Sequence, residues 1–322
     1  MQKVVITDFA FDNIDLEREV LAPVGCKLES LKSGKDQALI DLVKDADAVI
    51  TQFAPVNAAV IGAMQKCRVI VRYGIGVDNV DLKAAAAKNI PVCNIPDYCI
   101  DEVADHTLAL ILAATRQVVP CDSVIKSGQW KLPVPLTALH ALKYMTVGLV
   151  AFGRIAREVA ARLKPFKCRI LVFDPMVSAT AVTEAGCVPA TLDELLAQSD
   201  LVSLHCPSTE KTKYMINATT IAKMKKGAIL VNASRGTLVE TPAMVAALQS
   251  GQLSAAAMDV TDPEPPGADH PLLKLPNVVI TPHDASASPQ AVRKLRADAA
   301  GIAAMALRGE KLPSIVNGVT GR

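Results

Sequence analysis

The 322-residue chain is poor in aromatic residues: Phe, Tyr and Trp make up 3% of it. Burial therefore falls to Ala, Val, Leu and Ile, and hydrophobic residues still account for 51% of the chain. Aliphatic cores of this kind suit strands covered by helices on both faces, which read as continuous apolar runs. An excess of charge of one sign is also missing. Lys and Arg number 34 against 32 Asp and Glu, a formal net charge of +2, and no basic tract stands out. That gives no reason to expect nucleic acid or an anionic membrane surface as a partner. The longest apolar helical stretch, Val103–Ala114, is interrupted by Asp105 and His106 and falls short of the roughly 20 residues a bilayer requires. The start runs from Met1 straight into a strand-like segment, Lys3 to Thr7, and reads as lacking a signal peptide. The eight cysteines form no Cys-x-x-Cys pair, so no metal site is expected. Buried thiols in a soluble cytoplasmic chain are the expectation instead.

What is present is alternation. Short β-type runs at Val4–Thr7, Ala48–Thr51, Val69–Arg72 and Val92–Asn94 are separated by helical patterns at Ile14–Leu21, Gln37–Lys44, Asn57–Met64 and Val80–Lys88. Asp101–Val118 reads as one long helix, with apolar residues at 103, 104, 108, 111 and 112, and Pro120–Leu142 as an irregular connecting segment. A second series of β-type runs follows at Thr146–Val150, Ile170–Phe173, Leu201–Leu204, Ala228–Asn232, Ala255–Asp259 and Val278–Thr281. The last helical pattern, Pro289–Leu307, ends near Gly309, and an extended tail, SIVNGV, closes the chain. Strands alternating with helices predict an α/β fold with parallel sheets, and the length favours two domains.

The stretch VGLVAFGRIAREVAARL lies where a strand meets a helix. A dinucleotide site needs a tight strand-to-helix turn in which glycine lets the backbone approach a pyrophosphate at the helix N-terminus. The expected Gly-x-Gly-x-x-Gly appears as Ala151-Phe152-Gly153-Arg154-Ile155-Ala156, with only the middle glycine retained. Ala at the third place is tolerated by the fingerprint; Ala at the first is a departure that puts the tightness of the turn in question. Asp174 ends the next strand-like run and follows Gly153 at about the 20-residue distance expected of an acid that binds the ribose hydroxyls of NAD. Its charge disfavours the extra phosphate of NADP. Gly153, Arg154, Ile155 and Asp174 are the candidate cofactor contacts.

Three further segments, VRYGIGVDNVDL (71–82), LVNASRGTLVE (230–240) and AAAMDVTDPEPPGADHPLLKLPNVVITPH (255–283), resemble the D-isomer-specific 2-hydroxyacid dehydrogenase family. The likeness is to its phosphoglycerate dehydrogenase-like and C-terminal-binding-protein-like branches, and it runs in the family's order from about residue 45 to the C-terminus. It implies a catalytic Arg235, Glu264 and His283. Chemistry suits each: a guanidinium fork holds a carboxylate and polarises a carbonyl, and a histidine beside a carboxylate is kept protonated for donation. The resemblance also implies that Asp259 binds the nicotinamide carboxamide, with Ala233 and Ser234 in the nicotinamide pocket. His205, Cys206 and Pro207 would wall the adenosine side with Thr212 nearby, and Thr107 would contact the pyrophosphate. Ile75 and Gly76 would hold the substrate carboxylate by their amides. Tyr73, where a small residue is common, would fill the pocket or donate a hydrogen bond to substrate; Ser286 stands where some relatives carry Trp.

The resemblance implies a Rossmann-type NAD-binding domain, 99–285, and a flavodoxin-like discontinuous substrate domain, 1–98 with 286–322. It also implies an active site in the cleft between them and a homodimer built on the NAD-binding domain. The expected activity is NAD(H)-dependent interconversion of a 2-keto acid and a D-2-hydroxy acid. No phosphate-binding Arg or Lys cluster stands out in the substrate loops, which leans towards a non-phosphorylated substrate. The alternative is an NAD(H)-sensing, corepressor-like binding protein with little turnover.

Overall fold

A computed structural model describes residues 1–33 and 36–320. The chain divides into two units, Met1–Tyr98 with Ser288–Arg322, and Cys99–Ala287.

The first unit is built on strands β1 (Lys3–Ile6), β2 (Lys27–Ser30), β3 (Ala48–Thr51), β4 (Val69–Arg72) and β5 (Val92–Cys93). All pair in parallel, in the order β2-β1-β3-β4-β5, the flavodoxin-like arrangement. Both faces are covered, so the alternating side chains of one strand enter two cores. Val4 and Ile6 pack with helix Pro289–Arg308, and Val5 packs with Leu39, Val43, Val60 and Ile61 of two helices on the other face. Strand β2 was not visible in the sequence because Lys-Leu-Glu-Ser offers neither an apolar run nor an apolar face; it lies at the sheet edge and pairs residue by residue with β1. Helix Pro289–Arg308 begins with the Ser288 hydroxyl accepting the Ala291 amide and stops at Gly309 in the left-handed region, the start and stop chemistry a helix prefers. Its face of Ala299, Ala300, Ala303 and Ala304 is buried. The tail covers the outer edge of β5: Ile315 bridges Cys93, and Asn317 accepts the Val92 amide at 3.1 Å and donates to the Ile90 carbonyl at 2.8 Å.

The second unit holds β6 (Thr146–Val150), β7 (Arg169–Phe173), β8 (Val188–Pro189), β9 (Leu201–Leu204), β10 (Ala228–Asn232), β11 (Leu253–Met258) and β12 (Val278–Ile280). They form one parallel sheet in the order β12-β11-β10-β9-β6-β7-β8. This is the Rossmann order with one further strand, and the direction of winding reverses between β6 and β9. The alternation is clean in β10, where Ile229 and Val231 face one core and Ala228 and Leu230 the other. Helix Ile100–Arg116 buries Val103, Ala104, Thr107, Leu110, Ile111, Ala114 and Thr115, the three-and-four spacing of one helical face.

This helix is shorter than the sequence pattern predicts. Gln117 takes φ +54 and breaks it, and a separate helix, Val118–Lys126, occupies ground expected to be irregular. Pro120 is tolerated there because it falls in the first turn, where an amide hydrogen has no intrahelical partner. No residue of this second helix is buried, and its apolar residues Val118, Val119 and Ile125 are exposed. Among the described residues no single helix is long and apolar enough to cross a membrane.

Candidate active site

Three loops leave the C-terminal ends of β10, β11 and β12, the edge where open α/β sheets bind ligands. The β10 loop is shaped by Asn232, which is fully buried. Its side chain accepts the Ser234 amide at 2.9 Å and donates to the Arg235 carbonyl at 2.8 Å. The Arg235 guanidinium then donates back to the Ser234 carbonyl at 2.7 Å. Gly236 follows because nothing larger fits: a Cβ there would lie 1.9 Å from the Thr261 carbonyl oxygen. That close passage brings the β11 loop, with Glu264, alongside Arg235. The loop is anchored by Tyr214, whose hydroxyl donates to Asp262 at 2.8 Å, and by Thr241, which donates to the Asp262 carbonyl at 3.0 Å.

His283 follows β12 in the left-handed region at φ +55, with its amide donating to the Asp259 carbonyl at 2.9 Å. Its Nδ1 is hydrogen-bonded to Glu264 Oε1. Desolvation pushes the Glu264 carboxyl up. The His283 hydrogen bond and charge, the Thr261 amide and the Arg235 charge outweigh it, and the group titrates below the ordinary glutamate value. Arg235, Glu264 and His283 are thus brought together.

Asp259 is 1% exposed. Its carboxylate accepts the Thr281 hydroxyl at 2.6 Å, the Asp284 amide at 3.0 Å and the Ala285 amide at 3.1 Å. Burial raises its carboxyl above the usual range, and those three donors oppose the rise. The structure therefore places Asp259 as the clamp of segment 281–285. Asn232, Gly236 and Thr281 escaped the sequence reading. Asn232 carried a signal, an Asn at a strand end two residues before Ser, the pattern of an Asx turn; Gly236 carried none.

On the nucleotide side, the departure at Ala151 does not open the turn. Ala151 takes φ +77, and its amide donates to the Phe173 carbonyl at 2.7 Å. Gly153 is the N-cap of helix Arg154–Leu163, no side chain caps that N-terminus, and a Cβ built on Gly153 meets nothing within 4 Å. Arg154 is exposed and Ile155 half-buried at the first turn. The Asp174 carboxylate receives the Phe152 amide at 2.7 Å and the Met176 amide at 2.8 Å, leaving each oxygen one lone pair for a further donor. An uncapped helix start, open space at the glycine and an acid at the next strand end fit NAD. Ala233, after β10, is half-buried.

Other hydroxyls expected here are committed to the backbone. Ser234 donates to the Leu204 carbonyl at 2.6 Å, and Thr212 closes its own loop onto the Pro207 carbonyl at 2.7 Å. Thr107 is fully buried, with its hydroxyl on the Val103 carbonyl at 2.7 Å, so the structure does not present it to a ligand. His205 meets Ser203 at 2.9 Å, and burial pushes its imidazole down to about 4, which keeps it neutral. Cys206 is buried, and its thiol is pushed up to about 11.

In the first unit, Tyr73 corrects the expectation of a pocket residue. It is 1% exposed, donates to Glu17 at 2.9 Å and meets Phe11 edge-on at 5.5 Å. Glu17 is itself fully buried and held by Arg296 at 2.7 Å. Burial and the Glu17 charge push the Tyr73 phenol well above its ordinary value. The chain turns after it at Gly74, φ +146, and Asn94 donates to the Ile75 carbonyl at 2.7 Å. Among the described residues no acceptor meets the amides of Ile75 or Gly76, so the loop offers two donors to an anion. Ser286, in the second unit, is half-buried.

Residues 108–285 match the model of the NAD-binding domain of D-isomer-specific 2-hydroxyacid dehydrogenases. The chain belongs to this family. The dehydrogenase is 40% identical over 284 residues to glyoxylate reductase from Korarchaeum cryptofilum, covering 87% of this chain and 86% of that protein. It is 36% identical over 307 residues to D-3-phosphoglycerate dehydrogenase from Mycobacterium leprae, covering 94% of this chain but only 57% of the relative. A solved D-lactate dehydrogenase from Aquifex aeolicus, complexed with NAD and lactic acid, superposes with a TM-score of 0.87 at 28% identity, covering 95% of this chain and 96% of that one. The dehydrogenase is accordingly an NAD-dependent enzyme that interconverts 2-keto acids and D-2-hydroxy acids.

Proposed function

We propose that the dehydrogenase reduces a small, non-phosphorylated 2-keto acid of the glyoxylate class, with Arg235, Glu264 and His283 carrying the chemistry. The observation that carries this reading is the hydrogen bond between His283 and Glu264, with the Arg235 charge close enough to lower the Glu264 carboxyl. NADH supplies the hydride. Arg235 offers a planar fork of donors to the keto acid's carboxylate and carbonyl, which orients the carbonyl carbon and favours charge developing on its oxygen. His283 delivers a proton to that oxygen from Nε2, the ring atom on the far side from Glu264. Glu264 fixes the ring through Nδ1; in the oxidative direction neutral His283 takes the proton back. Gly153 leaves room for the pyrophosphate, and Asp174 accepts from the ribose hydroxyls while repelling a 2′-phosphate.

The choice of a small substrate is supported by the glyoxylate reductase relative, which is matched along 86% of its length against 57% for the phosphoglycerate dehydrogenase. The enzyme is further proposed to be a homodimer. Support comes from exposed apolar side chains within one stretch of the chain, 130–144: Trp130 at 92%, Leu136 at 73% and Tyr144 at 82%. Buried thiols such as Cys93, pushed up to about 12, suit a reducing compartment such as the cytoplasm.

The test is NADH oxidation against glyoxylate, hydroxypyruvate, pyruvate, 2-oxoglutarate, phenylpyruvate and 3-phosphohydroxypyruvate. Glyoxylate or hydroxypyruvate is expected to exceed the phosphorylated acid by about tenfold or more in kcat/KM. A preference for the phosphorylated acid would overturn the substrate class.

A further inference from the structure

We infer that His106, acting through Thr281 and Asp259, is a positioning residue for His283, an inference that rests on the proposed role of His283 as proton donor. His106 belongs to helix Ile100–Arg116 and to none of the loops that carry Arg235, Glu264 or His283. Its Nε2 is 3.0 Å from the Thr281 hydroxyl, and that hydroxyl is 2.6 Å from Asp259 Oδ1. A carboxylate oxygen only accepts, so Thr281 gives its one proton to Asp259 and has only an acceptor left for His106. Nε2 of His106 therefore carries the hydrogen. The chain of donors runs from His106 to Thr281 to Asp259.

Asp259 holds the turn of His283 on both sides. Thr281 precedes the turn, the Asp284 and Ala285 amides follow it at 3.0 and 3.1 Å, and the His283 amide itself donates to the Asp259 carbonyl. Such over-determination is what a left-handed backbone at a residue with a side chain requires. His283 has φ +55. His106 is the outermost member and fastens the network to a packed helix rather than to another loop. Its Nε2 is also 3.6 Å from Asp259 Oδ1 and 3.9 Å from Asp284 Oδ1, so it faces both carboxylates of the turn. The same three side chains approach within 4.8 Å of one another, as metal ligands would. The oxygens of Asp259 are occupied by one hydroxyl and two amide donors, which is hydrogen-bond chemistry.

Without His106, Thr281 loses its outer donor and the turn loses its tie to the helix. The His283 ring is then less well held against Glu264, and the proton-transfer step slows. The hold on the pyrophosphate and ribose is spared, because Gly153 and Asp174 follow β6 and β7, on the other side of the winding reversal, and Asp259 keeps its two amide donors.

Four single variants and one double variant test this: His106→Ala, His106→Gln, Thr281→Val, Thr281→Ser and His106→Ala/Thr281→Val. The readouts are kcat, KM for glyoxylate and NADH affinity by fluorescence titration. H106A and T281V are each expected to lower kcat about tenfold, and the double variant no further than the worse single one, as for members of one network. Glutamine, whose amide nitrogen falls near the place of Nε2, and serine, which keeps the hydroxyl, are expected to restore most of the rate. NADH affinity should stay within about threefold of wild type. If H106A does not fold, T281V and T281S carry the test. Wild-type kcat in H106A or T281V overturns the inference, as does a loss expressed wholly in NADH affinity. His283→Ala is measured in parallel: if it keeps its rate, the reading of His283 falls; if it loses the rate while H106A and T281V keep theirs, only the positioning inference falls.

Discussion

Tyr73 stands two residues before Ile75 in the sequence, yet its side chain faces the interior of its unit. Sequence alone left open whether it fills a pocket or donates a hydrogen bond, since one residue beyond a strand has no periodicity to orient it. The structure gives it to Glu17, a fully buried carboxylate also paired with Arg296. A hydrogen bond to a charged group contributes about 1.5–3 kcal/mol, so Tyr73→Phe should lower unfolding free energy by that amount in urea titrations. KM for the keto acid should hardly change, and an increase of about tenfold with unaltered stability would return Tyr73 to the pocket. Glu264 carries a pH prediction. Its carboxyl is held below the ordinary value in the folded state, so its stabilising contribution is present above the unfolded value of about 4.3 and disappears as pH falls through the lower folded one. The stability difference between wild type and Glu264→Gln should therefore shrink between about pH 5 and pH 3. A difference independent of pH across that range would show that His283 and Arg235 do not hold the carboxylate. Ser234, Thr107 and Thr212 share one lesson: a sequence names a hydroxyl but does not say whether it turns to a ligand or to a nearby carbonyl.

At the scale of elements, the strand-to-helix turn of the nucleotide site keeps its shape without its first glycine. Ala151 occupies the left-handed region at φ +77, where a side chain costs about 1–2 kcal/mol. Glycine would relieve that strain but add about 0.4–1 kcal/mol of unfolded-state entropy. Ala151→Gly should thus leave stability unchanged or raise it by up to about 1.6 kcal/mol, the reverse of an ordinary alanine-to-glycine change. A loss of about 1 kcal/mol would mean that the turn is not strained. Most strands were legible because both sheets are buried on two faces, so their strands are plain aliphatic runs such as Ala228–Asn232. The missed strands, Lys27–Ser30 and Val188–Pro189, are short or polar edge elements, where pairing rather than burial makes the strand. The break at Gln117 was invisible because apolar spacing continues past it while the backbone does not.

For the whole molecule, the neighbourhood of Arg235, Glu264 and His283 was legible because each lies beyond a strand end of one parallel sheet, and such ends share an edge. The scaffold behind them was not: Asn232, Gly236, Thr281 and Tyr214 act through contacts between residues far apart in the chain. Assembly belongs to this scale too. If Trp130, Leu136 and Tyr144 are covered by a second copy, Trp130→Glu should convert a dimer of 34.0 kDa chains into a monomer in light scattering, and an unchanged mass would place the contact elsewhere. In the proposed division of labour His283 supplies the proton while other residues bind the nucleotide. The most direct measurement is single-turnover oxidation of enzyme-bound NADH by glyoxylate in wild type and His283→Ala. The expected rate is lower by about 10²–10⁴-fold in the variant, with NADH bound nearly as tightly as in wild type. A near-normal rate in the variant would contradict it.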